Sequence, residues 1–341
     1  MSSESPRIFI TQPMAEQGLA VLEGKAEVHV NDLGRPMTES EVVAVAERLN
    51  PDAYIGTFAE LHRTFSRRVI DASPKLKVIG WNGLSSEHID LDRATERGVY
   101  VTFVDLHCAA VSDHAMALIL CAAKKLIPAY QAVKAGRWEA EGAFFNLQFM
   151  GSDVHHKTLG IVGLGRIGAG VAKRAAGFDM KILYHDAMAR PELEQSLGIR
   201  RASLDELMSE ADYVCCSLPL TPSTEKLFGR AEFSRMKPNA YFINVSRGGC
   251  VDTDALCEVL RENKIAGAAI DVTSPEPVPS DHELLGFENV AIFPHIAGMT
   301  IDTRIQSQIE VARDVLDVLR GVRPARIMNP AVMDVRPLRA G

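Results

Sequence analysis

Three segments of this sequence end an apolar run on a group that holds or moves charge. NVSRGG carries Arg247, IDVTSPEP carries Glu276 and FPHIAG carries His295. An imidazole exchanges a proton near neutral pH, and a nearby carboxylate favours its charged form. A guanidinium stays charged and donates paired hydrogen bonds to oxygen anions. Taken singly, each has an ordinary reading: Arg247 as a solvated loop arginine, Glu276 as a charge in a Pro-rich turn, His295 as a hydrogen-bonded core histidine. A fourth feature reverses those readings. Within TLGIVGLGRIGAG, Gly163, Gly165 and Gly168 form G-x-G-x-x-G directly after an apolar run and before a helical pattern. The first glycine permits a tight turn, the second lets the backbone approach a pyrophosphate and the third lets helix pack on strand, while the helix N-terminus offers N–H groups and positive dipole. Arg166 and Ile167 open that helix and join the glycines as cofactor-binding residues. Asp186 ends the next apolar run, roughly 20 residues on, where an acid accepts hydrogen bonds from the adenosine ribose. The same carboxylate repels a 2′-phosphate, so the cofactor expected is NAD in preference to NADP, with Arg190 nearby as a partial offset.

Such groups need strands that end on one edge, since ligands of open α/β sheets bind beyond the carboxyl ends of the strands. The front half supplies RIFIT, AEVHV, DAYIG, LKVIGW and VYVTF, with amphipathic stretches such as TESEVVAVAERL between them. From about Ser112 one long helical stretch, SDHAMALILCAAKKLIPAYQAVKAG, leads to a second series: TLGIVGLG, MKILYHD, DYVCCSLP, AYFINVS, AGAAIDV and NVAIFPH. Ser203 and either Asp252 or Thr253 stand where helix caps belong. The alternation predicts an α/β protein with two Rossmann-like or flavodoxin-like parallel-sheet domains, one inserted into the other. Residues 1–107 with 298–341 form the outer, substrate domain in this reading, and residues 108–297 form the nucleotide domain.

Composition fits an ordinary soluble protein able to bury a full core: 341 residues, 47% hydrophobic, 24% charged and a formal net charge of −7. No Lys/Arg-rich block is present, which argues against nucleic acid or an anionic membrane as partner. The longest apolar run, AMALILCAA, is roughly half a membrane span, and MSSESPRIFI lacks the basic and apolar regions of a leader. The six cysteines show no Cys-x-x-Cys pair and no metal-ligand spacing, so they read as buried thiols in a reducing cytoplasm. His155 and His156 have no third ligand nearby, and no metal is expected.

The series GLGRIG, LPLTPST, MKPNAYFINVSRGG, AAIDVTSPEP and FPHIAG resembles the NAD-dependent D-2-hydroxyacid dehydrogenases, the family of D-lactate, D-glycerate and D-3-phosphoglycerate dehydrogenases. The resemblance runs from KVIGWNGLSSEHIDLDRATERGV to MNPAV near the end. It implies that Arg247 holds the substrate carboxylate and polarises its carbonyl, that His295 is the acid/base and that Glu276 pairs with it. It further implies that Asp271 lies close to the nicotinamide, and that Leu84 and Ser85 offer backbone N–H groups to the substrate. The activity implied is hydride transfer between NAD(H) and C2 of a D-2-hydroxy acid or 2-oxo acid, in a homodimer formed through the segment after Ser112.

Some positions depart from the family pattern. Ser85 stands where a second glycine is usual, Ser217 where many members have a histidine, and FVDLHCAAVSDH replaces a stretch richer in glycine and asparagine. Trp81, Asn82, Phe103 and His107 are therefore expected to shape an unusual pocket. VYVTFV and LYHDAM also resemble phosphite dehydrogenase, which has a lysine at the position of Leu84. Thr300, Thr303 and Arg304 resemble a motif of the glyoxylate and hydroxypyruvate reductases. A dinucleotide-sensing corepressor shares the fold and the three polar residues, but no added tail or peptide-docking segment is visible here.

Overall fold

The computed structural model describes residues 5–57, 64–83, 86 and 88–340. The chain forms two compact units, Met1–His107 with Thr300–Gly341, and Cys108–Met299. The second therefore closes two residues later than the boundary read from the sequence.

The first unit is built on five strands: β1 (Arg7–Ile10), β2 (Glu27–Val30), β3 (Ala53–Thr57), β4 (Val78–Asn82) and β5 (Tyr100–Phe103). Their order is β2-β1-β3-β4-β5 and every pair is parallel, a flavodoxin-like arrangement. A parallel sheet needs cover on both faces, which is why these strands read as nearly unbroken apolar runs. One face carries Val311, Ala312, Val315 and Leu316 of the helix Ile301–Leu319. That helix lies so close that a Cβ on Gly80 would stand 2.5 Å from Val315 Cγ2. Thr300 caps it, its hydroxyl accepting the Thr303 N–H at 3.1 Å. The Asn of MNPAV ties the chain end to β5: Asn329 Oδ1 accepts the Val101 N–H at 2.9 Å and Nδ2 donates to Val99 O at 3.0 Å.

The other face buries Tyr54, Phe65 and Trp81 in an aromatic cluster. This corrects the expectation that Trp81 lines a pocket. It sits inward on β4, fully buried, with its ring against Phe65 and His88. Asn82 is also buried.

The second unit holds seven parallel strands: β6 (Thr158–Val162), β7 (Lys181–His185), β8 (Arg200–Arg201), β9 (Tyr213–Cys216), β10 (Tyr241–Asn244), β11 (Gly267–Ile270) and β12 (Val290–Ile292). The order is β12-β11-β10-β9-β6-β7-β8, the doubly wound pattern whose strand order reverses between β6 and β9. Two apolar clusters fill the two faces. Ser203 and Asp252 cap their helices, so the choice between Asp252 and Thr253 falls to the aspartate.

The long helical stretch expected from Ser112 is two helices. The first, His107–Ala123, starts earlier than expected. Lys125 then adopts a left-handed conformation (φ 50°), and the helix Leu126–Lys134 leaves at 65° to the first. The sequence marks this break with Lys124, Lys125 and Pro128, the proline lying in the first turn of the second helix where its missing N–H costs nothing. No single helix among the described residues is long and apolar enough to cross a membrane.

Candidate active site

The strand β6 delivers the glycine loop at the reversal point of the sheet. Gly163 turns there with φ 95°, and its N–H bonds to His185 O at 2.8 Å. A Cβ on Gly168 would lie 2.1 Å from Gly163 O, so the helix Arg166–Ala176 reaches its position only because that residue has no side chain. Gly165 differs from both. A Cβ there would meet no atom of the chain within 4 Å. Packing within the protein does not require glycine at this helix N-terminus, whereas a pyrophosphate laid against the backbone does. Ser217, at the end of β9, donates its hydroxyl to Gly163 O at 2.7 Å and joins the two strand ends where the order reverses.

Asp186 stands just past β7. Its Oδ2 accepts the Leu164 N–H at 2.6 Å and its Oδ1 accepts the Met188 N–H at 2.9 Å. The carboxylate is thus anchored to the glycine loop, past the end of the strand where this fold places an acid for the adenosine ribose. Arg190 donates its backbone N–H to Tyr184 Oη at 2.9 Å. A second arginine, absent from the sequence reading, stands here too. Arg201 on β8 donates to the carbonyls of Asp186 and Ala187 at 2.8 and 3.2 Å. The residues present therefore fit a dinucleotide.

Arg247, Glu276 and His295 follow the carboxyl ends of β10, β11 and β12. His295 Nδ1 lies 2.6 Å from Glu276 Oε1, with both side chains about two-fifths exposed. Burial alone would raise the Glu276 pKa, but it is lower than the usual 4.5. The hydrogen bond and charge of His295, the Thr273 N–H and the charge of Arg247 outweigh desolvation. Arg247 therefore acts electrostatically on Glu276. Its loop is set by Asn244, whose Nδ2 donates to Arg247 O at 3.2 Å while Oδ1 accepts the Ser246 N–H at 3.0 Å. Gly248 lets this loop press on the Glu276 loop, since a Cβ there would lie 1.9 Å from Thr273 O.

His295 has φ 55°, a conformation uncommon for a residue with a side chain. Asp271 holds it. The Asp271 carbonyl accepts the His295 N–H at 2.9 Å, and the carboxylate oxygens accept the Ile296 and Ala297 N–H groups, each at 2.8 Å. Leu84 and Ser85, the expected substrate donors, lie outside the described residues.

Residues 116–297 match the family model described as D-isomer specific 2-hydroxyacid dehydrogenase, NAD binding domain. The glyoxylate reductase of Korarchaeum cryptofilum is 37% identical over 97% of this chain and 98% of its own. The chain belongs to the D-isomer specific 2-hydroxyacid dehydrogenase family. This dehydrogenase is also 37% identical to the glyoxylate reductase of Thermococcus onnurineus, over 97% of the chain and 98% of that protein. Among solved structures, the TT0316 protein of Thermus thermophilus superposes with TM-score 0.86 at 34% identity, covering 94% of this chain and 99% of that one. The NADPH-dependent glyoxylate/hydroxypyruvate reductase of Sinorhizobium meliloti, in complex with NADP and malonate, gives 0.81 at 28%, covering 98% and 99%.

Sequence reasoning missed Asn244 and Arg201 of this dehydrogenase. Asn244 had a signal, an Asn two residues before a Ser in NVSRGG that suits an Asx turn. Arg201 had none, because it meets Asp186 and Ala187 only through the pairing of β8 with β7.

Proposed function

We propose that this dehydrogenase reduces a small 2-oxo acid with NADH, and oxidises the corresponding D-2-hydroxy acid in reverse, with His295 as the acid/base. The observation that carries this reading is the 2.6 Å contact of His295 Nδ1 with Glu276 beyond the strand ends. Because Nδ1 is engaged, Nε2 is the nitrogen that faces the substrate. In reduction it gives its proton to the oxygen on C2, and Glu276 stabilises the imidazolium before that step. Arg247 binds the substrate carboxylate and polarises the carbonyl. Leu84 and Ser85 add backbone N–H groups to the carboxylate. A bound nicotinamide supplies the hydride that C2 receives. The unit holding Leu84 and Ser85 is the substrate domain in this reading, and Cys108–Met299 is the cofactor domain.

Asp186 supports NAD over NADP in this reading, because a carboxylate anchored beside the glycine loop repels a 2′-phosphate. The relatives named glyoxylate reductase point to glyoxylate and hydroxypyruvate as the first substrates to try. The reading also includes a homodimer in the cytoplasm. Tyr130, Trp138, Phe144, Leu147 and Met150 are exposed along one segment after the helix break, as an unpaired subunit interface would be. All six cysteines are free thiols, as a reducing compartment requires.

The test is a panel of glyoxylate, hydroxypyruvate, pyruvate, phenylpyruvate and 3-phosphohydroxypyruvate with NADH and with NADPH. Turnover of at least one acid, faster with NADH, is the expected result. Failure of every acid removes the assignment, and a preference for NADPH with Asp186 intact removes the cofactor choice.

A further inference from the structure

Asp271 is 1% exposed, and three consecutive N–H groups, those of His295, Ile296 and Ala297, converge on it. A buried carboxylate is costly to keep charged, and two N–H donors offset only part of that cost. On its far side stands His114, from the helix His107–Ala123. Its Nε2 is 3.6 Å from Asp271 Oδ1, the oxygen that also accepts the Ile296 N–H. Nε2 itself is buried and has no hydrogen-bond partner among the described residues. A ring nitrogen with nothing else to donate to is therefore aimed at the residue that fixes the His295 backbone. The ring is wedged in place, edge-on to Phe293 at 5.6 Å between centroids and 89°. Phe293 lies two residues before His295, and its N–H is bonded to Ile270 O, just before Asp271.

We infer that His114 is a positioning residue for His295, acting through Asp271. Its N–H, or its charge when protonated, holds the Asp271 carboxylate in the rotamer that receives the Ile296 and Ala297 N–H groups. Those two bonds keep His295 in its left-handed conformation, with Nδ1 on Glu276. His114 touches neither substrate nor cofactor in this scheme. The inference rests on the proposed function only in taking His295 as the acid/base.

Two substitutions separate this role from simple space filling. His114→Leu keeps an apolar filling of similar size and loses the N–H; His114→Gln keeps a donor. The expected result is a fall in kcat of about 10- to 100-fold in His114→Leu, the cost of a small misplacement of a reacting group. KM and NADH affinity stay unchanged, and His114→Gln recovers most of the loss. A His114→Leu enzyme as fast as the parent overturns the inference, as does a His114→Gln enzyme no better than His114→Leu. A second measurement needs no turnover: ring-nitrogen NMR of His295 in protein carrying 15N-labelled histidine. The His295 signals should move in His114→Leu and stay in place in His114→Gln; unmoved signals in both overturn the inference. If the parent protein reduces no 2-oxo acid, the proposed reaction falls, while this spectrum still decides the role of His114.

Discussion

With Nδ1 bound to Glu276, His295 has Nε2 left for the proposed proton transfer, and the carboxylate fixes the orientation of the ring. The Glu276 pKa lies below 4.5, so its charge is fully present above that value and is lost only as pH falls through the lower one. The pair therefore persists across the neutral range. Glu276→Gln removes that charge, so kcat/KM for reduction should fall at neutral pH by about 10-fold or more, and the parent's loss of activity as pH drops through the Glu276 value should be missing from the variant. Rate measurements across pH in parent and variant check this; superimposable profiles would separate Glu276 from the proton transfer. The segments carrying Arg247, Glu276 and His295 drew notice in the sequence as polar groups following apolar runs, and the structure brings His295 and Glu276 into contact. The hold of Asp271 on the 295–297 chain was not legible there, since its bonds span more than twenty residues and leave no local pattern. Trp81 was misread for a related reason: an aromatic at a strand end looks the same in sequence whether it points to a pocket or to the core.

At the scale of elements, the glycine loop separates folding from binding. Gly168→Ala would push a Cβ to 2.1 Å from Gly163 O and 2.9 Å from Ser217 Oγ. The expected cost is about 1–3 kcal/mol of stability, seen as a lower midpoint in denaturant. Gly165→Ala meets nothing in the chain, so its stability should match the parent while NADH affinity falls. Calorimetry with and without NADH checks both, and undiminished NADH binding by Gly165→Ala would remove the pyrophosphate from this loop. The strands of both sheets could be read from sequence because a parallel sheet covered on both faces demands apolar residues throughout. The two-residue β8 could not, since a strand that short has no period, whereas the break at Lys125 was signalled by Pro128 in the first turn of the second helix and passed over in favour of one long helix.

For the whole molecule, the segment after the helix break is the feature a lone chain leaves unexplained. Phe144 is 79% exposed and Trp138 63%, apolar surface that a soluble monomer rarely shows in one stretch. Sedimentation at micromolar concentration should give a dimer, and Phe144→Glu with Trp138→Glu should shift it toward monomer; a parent protein that is monomeric throughout would leave this surface to another partner. The central claim is that a chain with this two-sheet architecture reduces a 2-oxo acid using the proton of His295. Its most direct test is the steady-state rate of NADH oxidation with the best acid of the panel, for the parent and for His295→Asn. The account expects kcat to fall by about 10² to 10⁴ with NADH affinity unchanged, and near-parental turnover in His295→Asn would contradict it.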